Sequence, residues 1–445
     1  MILSWLPLSL GIILLSLAQA AARSVQNEFT IDLSSPLKSV SFQRTTARRE
    51  PSVDAPAVHY QAIKPLKGRS AGRSAASALR AASSRSPPSA YQNISAILNQ
   101  STQYALQVVW DDEPLWLLFD TGSSDTWAVQ SSYSCVSQLG TARTTCAWGP
   151  DFIDHFRYGQ DQELHFKVTF GSGETVSGPL GRSDISVAGI TVQRQLCGLA
   201  NTTNWWGNNV TNGLVGLAYP ALTSAYAGRI GDEKTTDELK YQPFFTSMVS
   251  QGLIDPYFAV AIEKGSSAGM IGWGGLPPVQ WLGSARAYTD ILVANVADSD
   301  EPFSYQYSFY TIVVDGIQYG ERTDLTKYLY IVDTGTTLMH LPPDLAEAIA
   351  HSFEPRGTYI FTYGGYFAPC DAVASRIAVI IAGTRFWINP ADLIYRDFKD
   401  PTTGMCMLGI TSGGSGPYIL GSVFLQNVLA VFDVGAAQMR FYSRY

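Results

Sequence analysis

Leu115-Trp116-Leu117-Leu118-Phe119-Asp120-Thr121-Gly122-Ser123-Ser124 returns 213 residues later as Tyr328-Leu329-Tyr330-Ile331-Val332-Asp333-Thr334-Gly335-Thr336-Thr337. A second echo follows each copy. Gly213-Leu214-Val215-Gly216 ends 96 residues after Asp120, and Tyr418-Ile419-Leu420-Gly421 ends 88 after Asp333. Two similarly spaced copies of an apolar run, Asp-Thr-Gly and an apolar-apolar-Gly segment predict two related lobes. Each apolar run reads as a buried strand, and glycine permits a sharp turn just after the carboxylate. The threonine hydroxyls can lock the two turns together. A carboxylate at the end of a buried strand is costly unless partnered. With the lobes facing each other, Asp120 and Asp333 are those partners. Two close carboxylates cannot both ionise easily, so they share a proton.

On these residues the chain, from about Tyr104 to Tyr445, resembles the pepsin-type aspartic endopeptidases of the secreted fungal kind. The resemblance implies an all-β, bilobal pepsin-like fold with a few short helices, two lobes related by a pseudo-twofold and the cleft between them. It implies catalysis by Asp120 and Asp333, supported by Thr121, Gly122, Ser123, Thr334, Gly335 and Thr336. Trp127 is similar to the family's cleft tryptophan, and Gly213–Pro220 to its strand motif. Substrates are then polypeptides with hydrophobic residues around the cut, and pepstatin-like compounds are the expected inhibitors. No metal or organic cofactor is implied.

One departure concerns the flap hairpin. The family presents Tyr before Gly-[ST]-Gly, whereas Phe170 precedes Gly171-Ser172-Gly173 here. Phe170, Gly171, Ser172, Gly173, Trp127 and Leu214 are the expected flap and substrate-binding residues. Tyr158-Gly159 offers an alternative tip. Phe170 keeps an aromatic surface but lacks the hydroxyl that would bond Trp127. A second departure is Ser422, where several relatives carry Asp.

Away from the repeat, strand-like runs such as Leu106–Trp110 and Leu164–Phe170 alternate with Gly and Asn turns. Helical patterning is scarce, with 243–249 and 342–350 the better stretches.

The net charge of −7 hides a split. Residues 21–90 carry eleven basic and four acidic side chains, and residues 91–445 carry nineteen and thirty-three. An acidic body argues against nucleic-acid binding. Residues 1–20 read as a signal peptide, with an apolar core running into Ala18-Gln19-Ala20. A membrane anchor is the alternative for that stretch, and no later run is long enough to span a bilayer. The protein is expected outside the cytosol as a monomer, secreted or alternatively vacuolar.

The expected domains are a basic propeptide over 21–85, an N-terminal lobe over 86–285 and a C-terminal lobe over 286–445. Lys64 or Lys67 is the candidate to cover the catalytic pair. A passive linker is the plainer reading of 21–90. Asn93, Asn99, Asn201 and Asn209 are N-glycosylation sequons. Of five cysteines, Cys135 with Cys146 and Cys370 with Cys406 are expected to pair. Cys197, in an apolar run, reads as a buried free thiol.

Two other classes use or mimic such a pair. A glycosidase sets its carboxylates roughly 5 to 9.5 Å apart, but twin Asp-Thr-Gly turns argue for a closer arrangement. A protease-shaped binding protein would be expected to lose one aspartate, and this chain keeps both.

Overall fold

The structure, a computed structural model, describes residues 89–93, 95–97, 103–137, 146–205, 207–234, 238–263, 269–283, 285–293 and 307–445. The expected leader and propeptide, Lys64, Lys67, Asn99 and the side chain of Asn93 lie outside them.

Tight reversals begin where two successive residues accept positive φ. Asp111-Asp112 (48° and 78°), Ala188-Gly189 (48° and 79°) and Ala382-Gly383 (47° and 76°) each join paired strands. That geometry matches the right-handed twist of the flanking strands. The first of these turns feeds the strand Glu113–Asp120, whose apolar residues enter the core and whose last residue is the aspartate.

Among the described residues, ten strands between Ser95 and Leu239 form one sheet, and three smaller sheets use residues 311–420. A six-stranded sheet joins the halves. It interleaves Ala90–Asn93, Tyr257–Ile262 and Gly269–Trp273 with Arg286–Asp290, Val428–Asp433 and Gln438–Ser443. The protein is thus all-β and bilobal. The α-helices in the described residues are short, Phe244–Ser250, Pro343–Ala350 and Ser422–Leu425. None of the helices is long and apolar enough to cross a membrane.

The core runs through the joint. Phe258 stacks on Phe432 at 4.6 Å, and Tyr310 meets Phe432 edge-on at 4.8 Å. Two buried bonds cross with it. The Tyr310 hydroxyl donates to the Leu217 carbonyl at 2.6 Å, and Gln426 Nε2 donates to the Tyr104 hydroxyl at 2.7 Å. Aromatic packing of this kind fixes the halves relative to each other.

Cys135–Cys146 and Cys370–Cys406 are disulfide-bonded, and Cys197 is free and buried. Asn209 is exposed with φ 60°, whereas Asn201 is half-buried in the strand Ile190–Thr203.

Candidate active site

The two halves build the same structure around each aspartate. Glu113–Asp120 runs parallel to Gly213–Gly216, which also pairs antiparallel with Thr126–Cys135. Tyr328–Val332 likewise runs parallel to Tyr418–Leu420, which bridges antiparallel to Met339–Leu341. The apolar-apolar-Gly echo is the strand beside each aspartate. Its last glycine lies against the Asp-Thr-Gly turn, so that a Cβ on Gly216 would fall 2.5 Å from the Ser124 backbone and one on Gly421 2.4 Å from the Leu338 carbonyl.

The turns meet and lock reciprocally. The Thr121 N–H donates to Thr334 Oγ1 at 3.1 Å, and the Thr334 N–H donates to Thr121 Oγ1 at 3.0 Å. Each hydroxyl then donates across the joint, Thr121 to the Val332 carbonyl at 3.0 Å and Thr334 to the Phe119 carbonyl at 3.3 Å. All four groups are buried, where a fully paired network is rigid and a broken one costly.

Each carboxylate is cradled by its own turn. Asp120 accepts the Gly122 N–H at 2.7 Å and the Ser123 hydroxyl at 2.5 Å. Asp333 accepts the Gly335 N–H at 2.8 Å and the Thr336 hydroxyl at 2.6 Å. The glycines bring the pair together, since a Cβ on Gly335 would lie 2.4 Å from Asp120 Oδ1 and one on Gly122 2.8 Å from the Asp333 carboxyl. Burial, and then the Asp333 charge beside it, hold the Asp120 carboxyl well above the usual carboxylate range. The site can therefore keep a proton between two buried carboxyls at a pH where free ones have lost theirs.

A hairpin of the N-terminal half joins Gln160–Thr169 to Thr175–Val187, and its last pair is Thr169 with Thr175. Its tip is Phe170-Gly171-Ser172-Gly173, closed by the Phe170 N–H to the Glu174 carbonyl at 2.8 Å and the Gly173 N–H to Phe170 at 2.9 Å. Tyr158 belongs to the far end of the hairpin. Its exposed hydroxyl donates to Asp184 at 3.0 Å, beneath the Arg194 guanidinium. The turn of this hairpin is therefore at Phe170–Gly173, and Tyr158-Gly159 lies away from it.

The expected apolar lining also differs. Trp127 and Leu214 are buried, in a cluster with Trp148 and Phe166. The half-exposed Trp205 packs against this cluster, 5.9 Å from Trp127, and meets Phe170 edge-on at 5.0 Å. Trp205 went unread in the sequence because it stands in a polar Asn/Thr stretch without apolar periodicity. The Trp205-Trp206 pair itself was the available signal.

Two further titratable groups were not anticipated. His340 stands one repeat offset from Trp127 and bridges Ile419 as Trp127 pairs with Leu214. Burial lowers its pKa, against the pull of Asp333. Asp125 is buried five residues beyond Asp120 and accepts the Tyr241 hydroxyl at 2.6 Å and the Ser224 N–H at 3.0 Å.

Burial raises Asp125 to about 6, partly opposed by those bonds. The folded state thus holds this proton more tightly than the unfolded chain, whose aspartates titrate near 3.9. The contribution of Asp125 to stability falls as pH rises from about 4 to about 6, and that loss, at most about 3 kcal/mol, persists above it. Asp125→Asn should therefore flatten the dependence of melting temperature on pH between 4 and 7. An unchanged slope would show that Asp125 does not set it.

Comparison with known proteins gives one answer. Residues 106–443 match the family model described as eukaryotic aspartyl protease. The chain is 36% identical over 352 residues to a probable aspartic-type endopeptidase of Aspergillus fumigatus, covering 76% of this chain and 78% of that one. It is 30% identical over 338 residues to gastricsin of Mus musculus, covering 72% and 74%. The fold is similar to the crystal structure of an aspartic proteinase from Irpex lacteus, with TM-score 0.59 and 20% identity over 80% of this chain and 97% of that one.

Proposed function

Because the chain belongs to the eukaryotic aspartyl protease family and is an aspartic-type endopeptidase, we propose that Asp120 and Asp333 are its catalytic pair. The observation that carries this reading is the reciprocal threonine lock, which seats two buried carboxyls against each other with matching donors behind each. A water between them is activated by the ionised aspartate, which takes its proton as the oxygen attacks the scissile carbonyl carbon. The protonated aspartate gives its proton to the carbonyl oxygen. Collapse of the tetrahedral intermediate returns a proton to the amide nitrogen, and the C–N bond breaks. Ser123, Thr336, Gly122 and Gly335 hold the carboxyls in place throughout.

The hairpin tip Phe170–Gly173 acts as the flap over the substrate. Phe170, with apolar surface beneath it, favours hydrophobic side chains beside the cut. The lobes divide near residue 285. The enzyme works as a monomer outside the cytosol, with at least one N-glycan. Asn209, being exposed, is the better of the two described acceptors.

Residues 21–85 form the propeptide, and its positive charge is held by the acidic body while carboxylates are ionised. As pH falls toward about 4 they take up protons and the segment is released. At pH 3.5 the purified wild-type precursor should shorten itself, whereas an Asp120→Asn precursor should stay intact. A wild-type precursor fully active at pH 7 before any cleavage would refute the zymogen reading.

A further inference from the structure

Phe170 at the hairpin tip has no hydroxyl, and the fully buried Trp127 indole N–H meets no acceptor among the described residues. The two side chains are nevertheless linked, through Trp205. Its ring centroid lies 5.0 Å from Phe170, 5.9 Å from Trp127 and 6.0 Å from Trp148, and the last two rings meet edge-on at 5.7 Å.

The segment carrying Trp205 is fastened to the same hairpin. The Thr175 N–H donates to Asn204 Oδ1 at 2.6 Å, and the Asn204 N–H donates back to the Thr175 carbonyl at 3.1 Å. Asn204 Nδ2 reaches the Gly173 carbonyl at 3.5 Å. The Trp205 N–H donates to Thr203 Oγ1 at 3.0 Å, fixing the chain as it leaves the strand Ile190–Thr203. Asn204 therefore holds the base of the turn while Trp205 meets its tip.

We propose that Trp205 is the positioning residue of the flap, an aromatic clasp that joins Phe170 to Trp127 and does the work a tip hydroxyl would do by hydrogen bonding. Edge-to-face contacts are directional, so the clasp sets how closely the flap lies over the catalytic pair and acts mainly on substrate binding. Adding a hydroxyl to the tip then brings little, because it meets the Trp205 ring before it can reach the Trp127 nitrogen.

This inference rests on the peptidase reading above, and its test separates the two. Hydrolysis of an apolar peptide is measured at acid pH for wild type, Trp205→Ala, Trp205→Phe, Phe170→Ala, Phe170→Tyr and the Trp205→Ala/Phe170→Ala double variant. Thermal melts and pepstatin titration count the folded sites. Trp205→Ala should raise KM about tenfold with kcat changed less than about threefold, the size of one or two aromatic contacts. Trp205→Phe should restore most of the loss, and Phe170→Tyr should stay within about twofold of wild type.

The double variant should be no more than about twofold worse than the worse single one, because both remove the same contact. If Trp205→Ala does not fold, Trp205→Leu, which keeps apolar bulk but has no ring, takes its place in the cycle. Multiplicative losses in the cycle, or a KM unmoved by Trp205→Ala in folded protein, would overturn the clasp while leaving the catalytic assignment standing. A wild type without activity would instead defeat the peptidase reading.

Discussion

Asp120→Asn and Asp333→Asn are each expected to lower kcat at least about a thousandfold, the scale of losing a positioned general acid or base, without unfolding the protein. Either amide removes the shared proton and leaves a group that can neither activate water nor protonate the carbonyl. The cradle still accepts it. The Gly122 N–H can keep its bond to Oδ1, and the Ser123 hydroxyl, now a donor to Asp120, can rotate to accept from the new amide. Burial and Asp333 hold the Asp120 carboxyl above its usual range, so its ionisation opposes folding once pH exceeds the ordinary carboxylate value. Asp120→Asn should therefore melt at or above the wild-type temperature at pH 7, and the two should converge at pH 3. Near-wild-type activity in either variant would remove the pair from the mechanism.

Gly335→Ala is expected to lower kcat about a hundredfold for a purely steric reason. Its Cβ would fall 2.4 Å from Asp120 Oδ1, a distance that carbon and oxygen do not tolerate, and the Asp120 side chain is itself held by two bonds. The carboxyls must separate, and misplacement by about 1 Å costs about a hundredfold in rate. Gly122→Ala should follow more mildly, with 2.8 Å to the Asp333 carboxyl. Gly283→Ala is the control, because Gly283 is exposed and nothing lies within 4 Å of its Cβ position. Its kcat should stay within about threefold of wild type. Equal activity in the Gly335 and Gly283 variants would mean that close approach of the carboxyls is not required.

The repeat was legible because both copies are local. An apolar run, Asp-Thr-Gly and an apolar-apolar-Gly segment can be read without knowing what they touch, and the structure brings each strand echo beside its aspartate. Other features had no such signature. The six-stranded sheet pairs Ala90–Asn93 with Gly269–Trp273 and carries Val428–Asp433 in the same ladder. Pairings over such distances leave no period in the chain. Ser422–Leu425 is a single turn, too short to show one face. Asp125 reads as an ordinary polar turn residue, and only burial and the distant Tyr241 give it a perturbed carboxyl. Trp127 and Leu214 were expected to line the cleft and are buried in one cluster, and Trp205 packs against Trp127 from a loop whose course no local pattern fixes.

The most direct measurement is the initial rate of cleavage of an apolar peptide by the processed enzyme from pH 2 to 8, with and without pepstatin. A pair sharing one proton should give a bell-shaped kcat/KM. Its alkaline limb should fall above the usual carboxylate range, and stoichiometric pepstatin should abolish the rate. Cleavage that rises steadily to pH 8, or that pepstatin leaves untouched, would contradict catalysis by Asp120 and Asp333.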